Sequence, residues 1–223
     1  TQGYSSAASD VYKRQNVDYA PVADVLTNPG NTAIGTRSFG SDASMVADMV
    51  IKELEGLSSQ GVFGAVKHFP GQGGVSGDSH DGAVTLDKSL EELMQTELVP
   101  FQKALENGVS FVMVGHISVP QVVGDNTPAS LSQMMVSNVL REQLGYQGIV
   151  ITDAMNMGAV TGNYTADQAA VMAVNAGVDM ILMPQDYETA YNGLLQAVQD
   201  GTISEERIDE SVERIVKVKL QMQ

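Results

Sequence analysis

Three short apolar runs in this chain each end on an ionisable residue. GVFGAV (61–66) leads into Lys67 and His68, FVMVG (111–115) into His116, and GIVIT (148–152) into Asp153. Burying a lone charge is costly, so groups placed there are either paired or face a site. The plain alternative for Asp153 is helix capping, because Asp-Ala-Met-Asn-Met also reads as a helix start. For His116 the alternative is a hydrogen-bonded structural histidine.

A fourth group lies in the loop Gly71-Gln72-Gly73-Gly74-Val75-Ser76-Gly77-Asp78-Ser79-His80-Asp81. Asp78 and His80 are two residues apart, so a turn would let the carboxylate hold the imidazole. That pairing fixes the tautomer and favours the protonated ring, which suits a general acid. Composition alone favours a flexible surface loop instead. Phosphate cradling is disfavoured, since GQGG lacks the trailing Lys-Ser/Thr of a P-loop. A metal site would draw on His68, Asp78, His80 and His116, but these have no recognised ligand spacing, and no metal is assigned.

Elements must position these residues. Apolar, β-branched runs predict strands at 17–22, 62–66, 111–114, 149–151 and 180–182, each covered on both faces. Helical spacing predicts helices at 43–58, 89–106, 132–144, 166–175, 187–199 and 205–220. Ser89 and Glu92 form a possible capping box, and Pro100 should kink or split its helix. Strand–helix–strand repetition implies parallel strands with right-handed crossovers. No Gly-rich dinucleotide loop follows the first strand, which favours a (β/α) barrel over an open sheet. The long connections 69–86 and 115–131 both follow strands, where barrel enzymes carry their chemistry.

Composition narrows the partners. Twelve Lys and Arg against 27 Asp and Glu give a net charge of −15, which argues against nucleic acid and against an anionic membrane surface. No apolar stretch approaches the roughly 20 residues that span a bilayer. The absence of cysteine removes disulfides and thiolate chemistry and leaves the compartment open. Residues 1–15 are polar, Ser-rich and aperiodic, and read as a frayed or non-native leader, with one domain over 16–223.

The ordered strings Ala20-Pro21-Val22-Ala23-Asp24-Val25, Ile34-Gly35-Thr36-Arg37-Ser38-Phe39-Gly40, Lys67-His68-Phe69-Pro70-Gly71, Asp78-Ser79-His80 and Ile151-Thr152-Asp153-Ala154-Met155-Asn156-Met157 resemble glycoside hydrolase family 3. The similarity is to its β-N-acetylhexosaminidase branch and spans about residues 16–220. It implies an α/β fold, a (β/α)8 TIM-type barrel that is incomplete here because its first strands are missing. It also implies a retaining exo-β-N-acetylglucosaminidase acting on peptidoglycan fragments or related glycans, with no cofactor. Asp153 would be the nucleophile, His80 the acid/base and Asp78 its orienting partner, while Arg37, Lys67 and His68 would bind the sugar. A histidine acid departs from the usual pair of carboxylates and avoids like-charge repulsion with an anionic substrate.

Family members commonly carry His where this chain has Gln72, which can hydrogen-bond but does not titrate. The resemblance further implies an open barrel with an incomplete pocket and weaker hydrolysis than a form with the upstream strands. Two other readings stand beside this one: a phosphorylase of the same family, and a non-catalytic carbohydrate-binding barrel. Members resembling the chain are cytoplasmic or attached to the bacterial cell envelope.

Overall fold

The computed structural model describes residues 15–222, so all but the last position of the expected leader lies outside the described residues. Five parallel strands form the main sheet: β1 (Val17–Asp18), β2 (Phe63–Phe69), β4 (Phe111–Val114), β6 (Ile149–Ala154) and β7 (Met180–Leu182), in that spatial order. Between them, β3 (Val84–Thr85) and β5 (Ile117–Ser118) make a separate two-stranded parallel pair. Each main strand pairs with the next in sequence, as right-handed crossovers dictate, and the sheet curves into half a barrel. Among the described residues, β1 and β7 each pair on one side only.

The helices are α1 (Ala43–Ser58), α2 (Leu90–Gln95), α3 (Val99–Glu106), α4 (Pro120–Val123), α5 (Gly158–Thr161), α6 (Ala166–Ala176), α7 (Tyr187–Gln199) and α8 (Glu205–Gln221), with a π-helix at Met134–Gln143. No helix among the described residues is long and apolar enough to cross a membrane.

Strand alternation divides the sheet into two faces. Val66, Val112 and Val150 point to the outer face and share a core with Val46 and Val50 of α1, Phe101 of α3, Val136 and Leu140 of the π-helix, and Ala169 and Ala173 of α6. Ala65, Phe111 and Ile149 point to the concave face and pack with Val17, Phe63, Met180 and with Ile215 and Val218 of α8. Thus α8 closes the N-terminal end of the half-barrel. Lys67 and Asp153 continue the inward parity at the opposite end, partly buried rather than fully enclosed.

A buried carboxylate fastens that closure. Asp179, just before β7, accepts from Arg141 at 2.6 Å, Arg214 at 3.1 Å, the Ser211 hydroxyl at 2.7 Å and the Val150 amide at 2.8 Å, with Arg207 at 3.9 Å. One side chain thereby ties α8, the π-helix and β6 together.

Several boundaries differ from expectation. The strand predicted at 17–22 stops at Asp18, because Pro21 has no N–H to donate; pairing with β2 resumes at Val22–Lys67. The helix predicted at 89–106 is two helices, broken at Thr96 with φ −137° and ψ −76°. Pro100 then lies in the first turn of α3, where its missing donor is no loss. The capping box is present, Ser89 and Glu92 each accepting from the other's backbone N–H. The strands after 62 and 149 run further than predicted, through Phe69 and Ala154.

Candidate active site

The C-terminal end of β2 is organised by Asp24, which is fully buried. Its Oδ1 accepts from the Gln72 amide at 2.6 Å and the His68 amide at 3.3 Å, and its Oδ2 lies 2.7 Å from His68 Nδ1. A carboxylate without solvent needs such donors. With a carboxylate oxygen as acceptor, Nδ1 carries the proton, so Nε2 is directed into the concave mouth. There it lies 3.9 Å from Asp153 Oδ2.

Asp153 keeps 17% of its side chain exposed, enough to meet a ligand. Its Oδ1 accepts from the Ala154 amide at 2.8 Å. It caps no helix: α5 starts only after Met157 and has no side-chain cap. Lys67 is half-buried beside it. Burial lowers the Lys67 pKa, the Asp153 carboxylate opposes that shift, and the Arg37 charge adds to it. The Arg37 guanidinium donates to the Ala33 carbonyl at 2.6 Å and is exposed at the same mouth, near enough to act on Asp78 as well.

The third component is the turn 78–81. Asp78 Oδ1 accepts from the His80 amide at 2.9 Å and lies 2.7 Å from His80 Nδ1. These two contacts hold the Asp78 carboxyl below the usual range. His80 is exposed, which leaves its Nε2 accessible. The turn docks on the segment that follows Asp153: the Gly158 amide donates to the His80 carbonyl at 3.0 Å, and the Ala159 amide to the Ser79 carbonyl at 3.1 Å. Both chemistry-bearing segments therefore share one face of the molecule.

The loop leading to this turn is packed rather than flexible. Residues 71–73 and Val75 are buried, and a Cβ on Gly73 would lie 2.0 Å from the Val25 carbonyl oxygen. His116 has the structural role weighed against a chemical one. Its Nε2 donates to the Ala154 carbonyl at 3.0 Å and its Nδ1 accepts from Ser130 at 2.7 Å, so neither nitrogen is free for a metal. Burial lowers its pKa. No group of three or more His, Cys, Asp or Glu among the described residues could hold a metal ion.

Sequence reasoning assigned no role to Asp24 or Ser130. Asp24 gave the same signal as Asp153, a carboxylate inside an apolar run, and could have been found by it. Two concavities of about 660 and 540 Å³ lie at the other end of the strands, around Gly108, Val109 and Ser110, and include none of these residues.

Comparison with known proteins adds family evidence. The model of the glycosyl hydrolase family 3 N terminal domain matches residues 5–218. Beta-hexosaminidase LpqI of Mycobacterium tuberculosis is 37% identical over 211 residues, covering 91% of this chain and 54% of that protein. The structure of a family 3 β-N-acetylglucosaminidase from Paenibacillus superposes with a TM-score of 0.95 at 39% identity, covering 99% of this chain and 43% of that one. The β-glucoside phosphorylase BglX reaches the same TM-score at 28% identity, covering 99% and 41%. The chain thus spans about half the length of these three proteins, or less.

Proposed function

This chain belongs to glycosyl hydrolase family 3, and we propose that it works as a retaining exo-β-N-acetylglucosaminidase on peptidoglycan fragments or related glycans. The observation that carries this reading is the docking of the Asp78–His80 turn on the loop that follows Asp153, by the two amide bonds from Gly158 and Ala159. The names of the mycobacterial and Paenibacillus relatives support the sugar class.

In the first half-reaction a carboxylate oxygen of Asp153 attacks the anomeric carbon. The bond from that carbon to the glycosidic oxygen breaks, and the oxygen keeps the electron pair and takes a proton from His80 Nε2. In the second half, His80 Nε2 removes a proton from water while the water oxygen attacks the anomeric carbon. The ester bond to Asp153 breaks and its electron pair returns to the carboxylate. Asp78 holds the opposite ring nitrogen throughout. Lys67, His68 and Arg37 contact the sugar hydroxyls, with Asp24 fixing the direction of His68. The same reading takes the half-barrel as part of an eight-stranded (β/α)8 barrel, in which strands beside β1 and β7 complete the wall around the sugar.

Asp153→Asn should lower kcat on 4-nitrophenyl N-acetyl-β-D-glucosaminide by roughly three orders of magnitude or more. Retention of most of the parent rate would contradict the assignment of Asp153, whereas a parent that binds the sugar and releases no 4-nitrophenol would leave a sugar-binding, non-catalytic barrel. The likeness to BglX favours a second reading, in which phosphate replaces water. Product analysis with and without inorganic phosphate separates the two, since only the phosphorylase yields a sugar 1-phosphate.

A further inference from the structure

His80 owes its place to backbone contacts as well as to Asp78. The buried Gln72 side chain donates from Nε2 to Ser79 Oγ at 3.1 Å, and Ser79 itself is 1% exposed. The Gln72 backbone N–H in turn donates to Asp24 Oδ1 at 2.6 Å. From the other side, the Gly158 and Ala159 amides grip the carbonyls of His80 and Ser79. A Cβ at position 158 would lie 2.7 Å from the His80 oxygen and 2.9 Å from the Asp81 carbonyl carbon. The backbone at Gly158 is not left-handed, so alanine suits the helix there and fails only against the turn.

We propose that Gln72 and Gly158 are positioning residues for His80, which lock the Asp78-Ser79-His80 turn onto the segment that carries Asp153. The role rests on the glycosidase reading above. Its physical basis is steric and local. His80 presents an exposed ring held by Asp78 at Nδ1, so its direction depends on where the turn sits, and the hydrogen bonds of Gln72, Gly158 and Ala159, with that of the His80 amide to Asp78, set that. Misplacing an acid by about 1 Å is enough to lose much of its contribution. Because the Gln72 amide does not titrate, this link stays intact as the acid changes its own protonation state.

The test uses the full chain with Gly158→Ala and Gln72→Leu, and with Gly82→Ala as control, because nothing lies within 4 Å of a Cβ at Gly82. Two quantities are read: deuterium uptake over residues 76–82 and 158–159, and kcat/KM on two substrates. N,N′-diacetylchitobiose has a leaving group that needs protonation, and 4-nitrophenyl N-acetyl-β-D-glucosaminide has one that does not. Both variants should raise uptake and lose at least about tenfold more kcat/KM on the disaccharide than on the aryl glycoside. Gly82→Ala should match the parent. Equal losses on the two substrates, or unchanged uptake, would overturn the proposal even if one variant folds poorly, since the other still reports. A parent that cleaves neither glycoside sinks the glycosidase reading and the positioning role with it. A parent that cleaves both, with variants unchanged in uptake and in substrate ratio, sinks the positioning role alone.

Discussion

His116 shows what a histidine does when both ring nitrogens are engaged. It holds the Ala154 carbonyl beside Asp153, and burial keeps it neutral to a lower pH than a free imidazole. Its folded pKa lies below the unfolded value near 6.5, so between the two the unfolded chain binds more protons. Stability must then fall as pH drops below 6.5 and is unaffected by this group above it. His116→Asn should flatten that dependence: urea midpoints of the variant should change less than the parent's from pH 6.5 downward. Parallel profiles would contradict it. At this scale the sequence was readable where a charge interrupts or ends an apolar run. Lys67, His68 and Asp153 were singled out that way, and Asp24 could have been. The hydrogen bonds between Asp24 and His68, or between Gln72 and Ser79, join residues 44 and 7 positions apart and leave no local mark.

Elements were legible in proportion to their length and regularity. The helix at 43–58 has the bounds its spacing predicts, whereas two-residue strands such as β3 and β5 carry too little pattern to be seen. Tertiary contacts also override composition. Composition favours a flexible loop over residues 71–81, yet Gly71, Gly73 and Gly74 pass against Val25 and Glu97 without room for side chains. Gly73→Ala should therefore destabilise the protein by about 1–3 kcal/mol through forced backbone shifts, while Gly82→Ala should be nearly neutral. Thermal unfolding of the two variants checks this. Equal Tm values would mean that the loop is free to move away from Val25.

The half-barrel as a whole depends on keeping α8 across the N-terminal strand ends. Periodicity predicted that helix but could not say where it packs, because its position is decided by Asp179 gathering Arg141, Arg207, Arg214 and Ser211 from distant parts of the chain. The parallel order of the strands followed from alternation with helices; the curvature of the sheet, which decides between a barrel and an open sheet, is a property of packed layers and has no local signature. Asp179→Ala leaves three partly buried guanidinium groups without their shared partner. It should cost about 3–5 kcal/mol in urea unfolding. A loss below about 1 kcal/mol would show that α8 is held by its apolar contacts alone.

The most direct measurement is a trap of the first half-reaction. The protein is incubated with a fluorinated N-acetylglucosaminyl donor that forms the glycosyl-enzyme and releases it slowly, then digested and analysed by mass spectrometry. One sugar residue on the peptide containing Asp153, and none in Asp153→Asn, is the result expected from a carboxylate poised at the end of β6. A label on another residue, or turnover that gives the inverted anomer with no label, would contradict it.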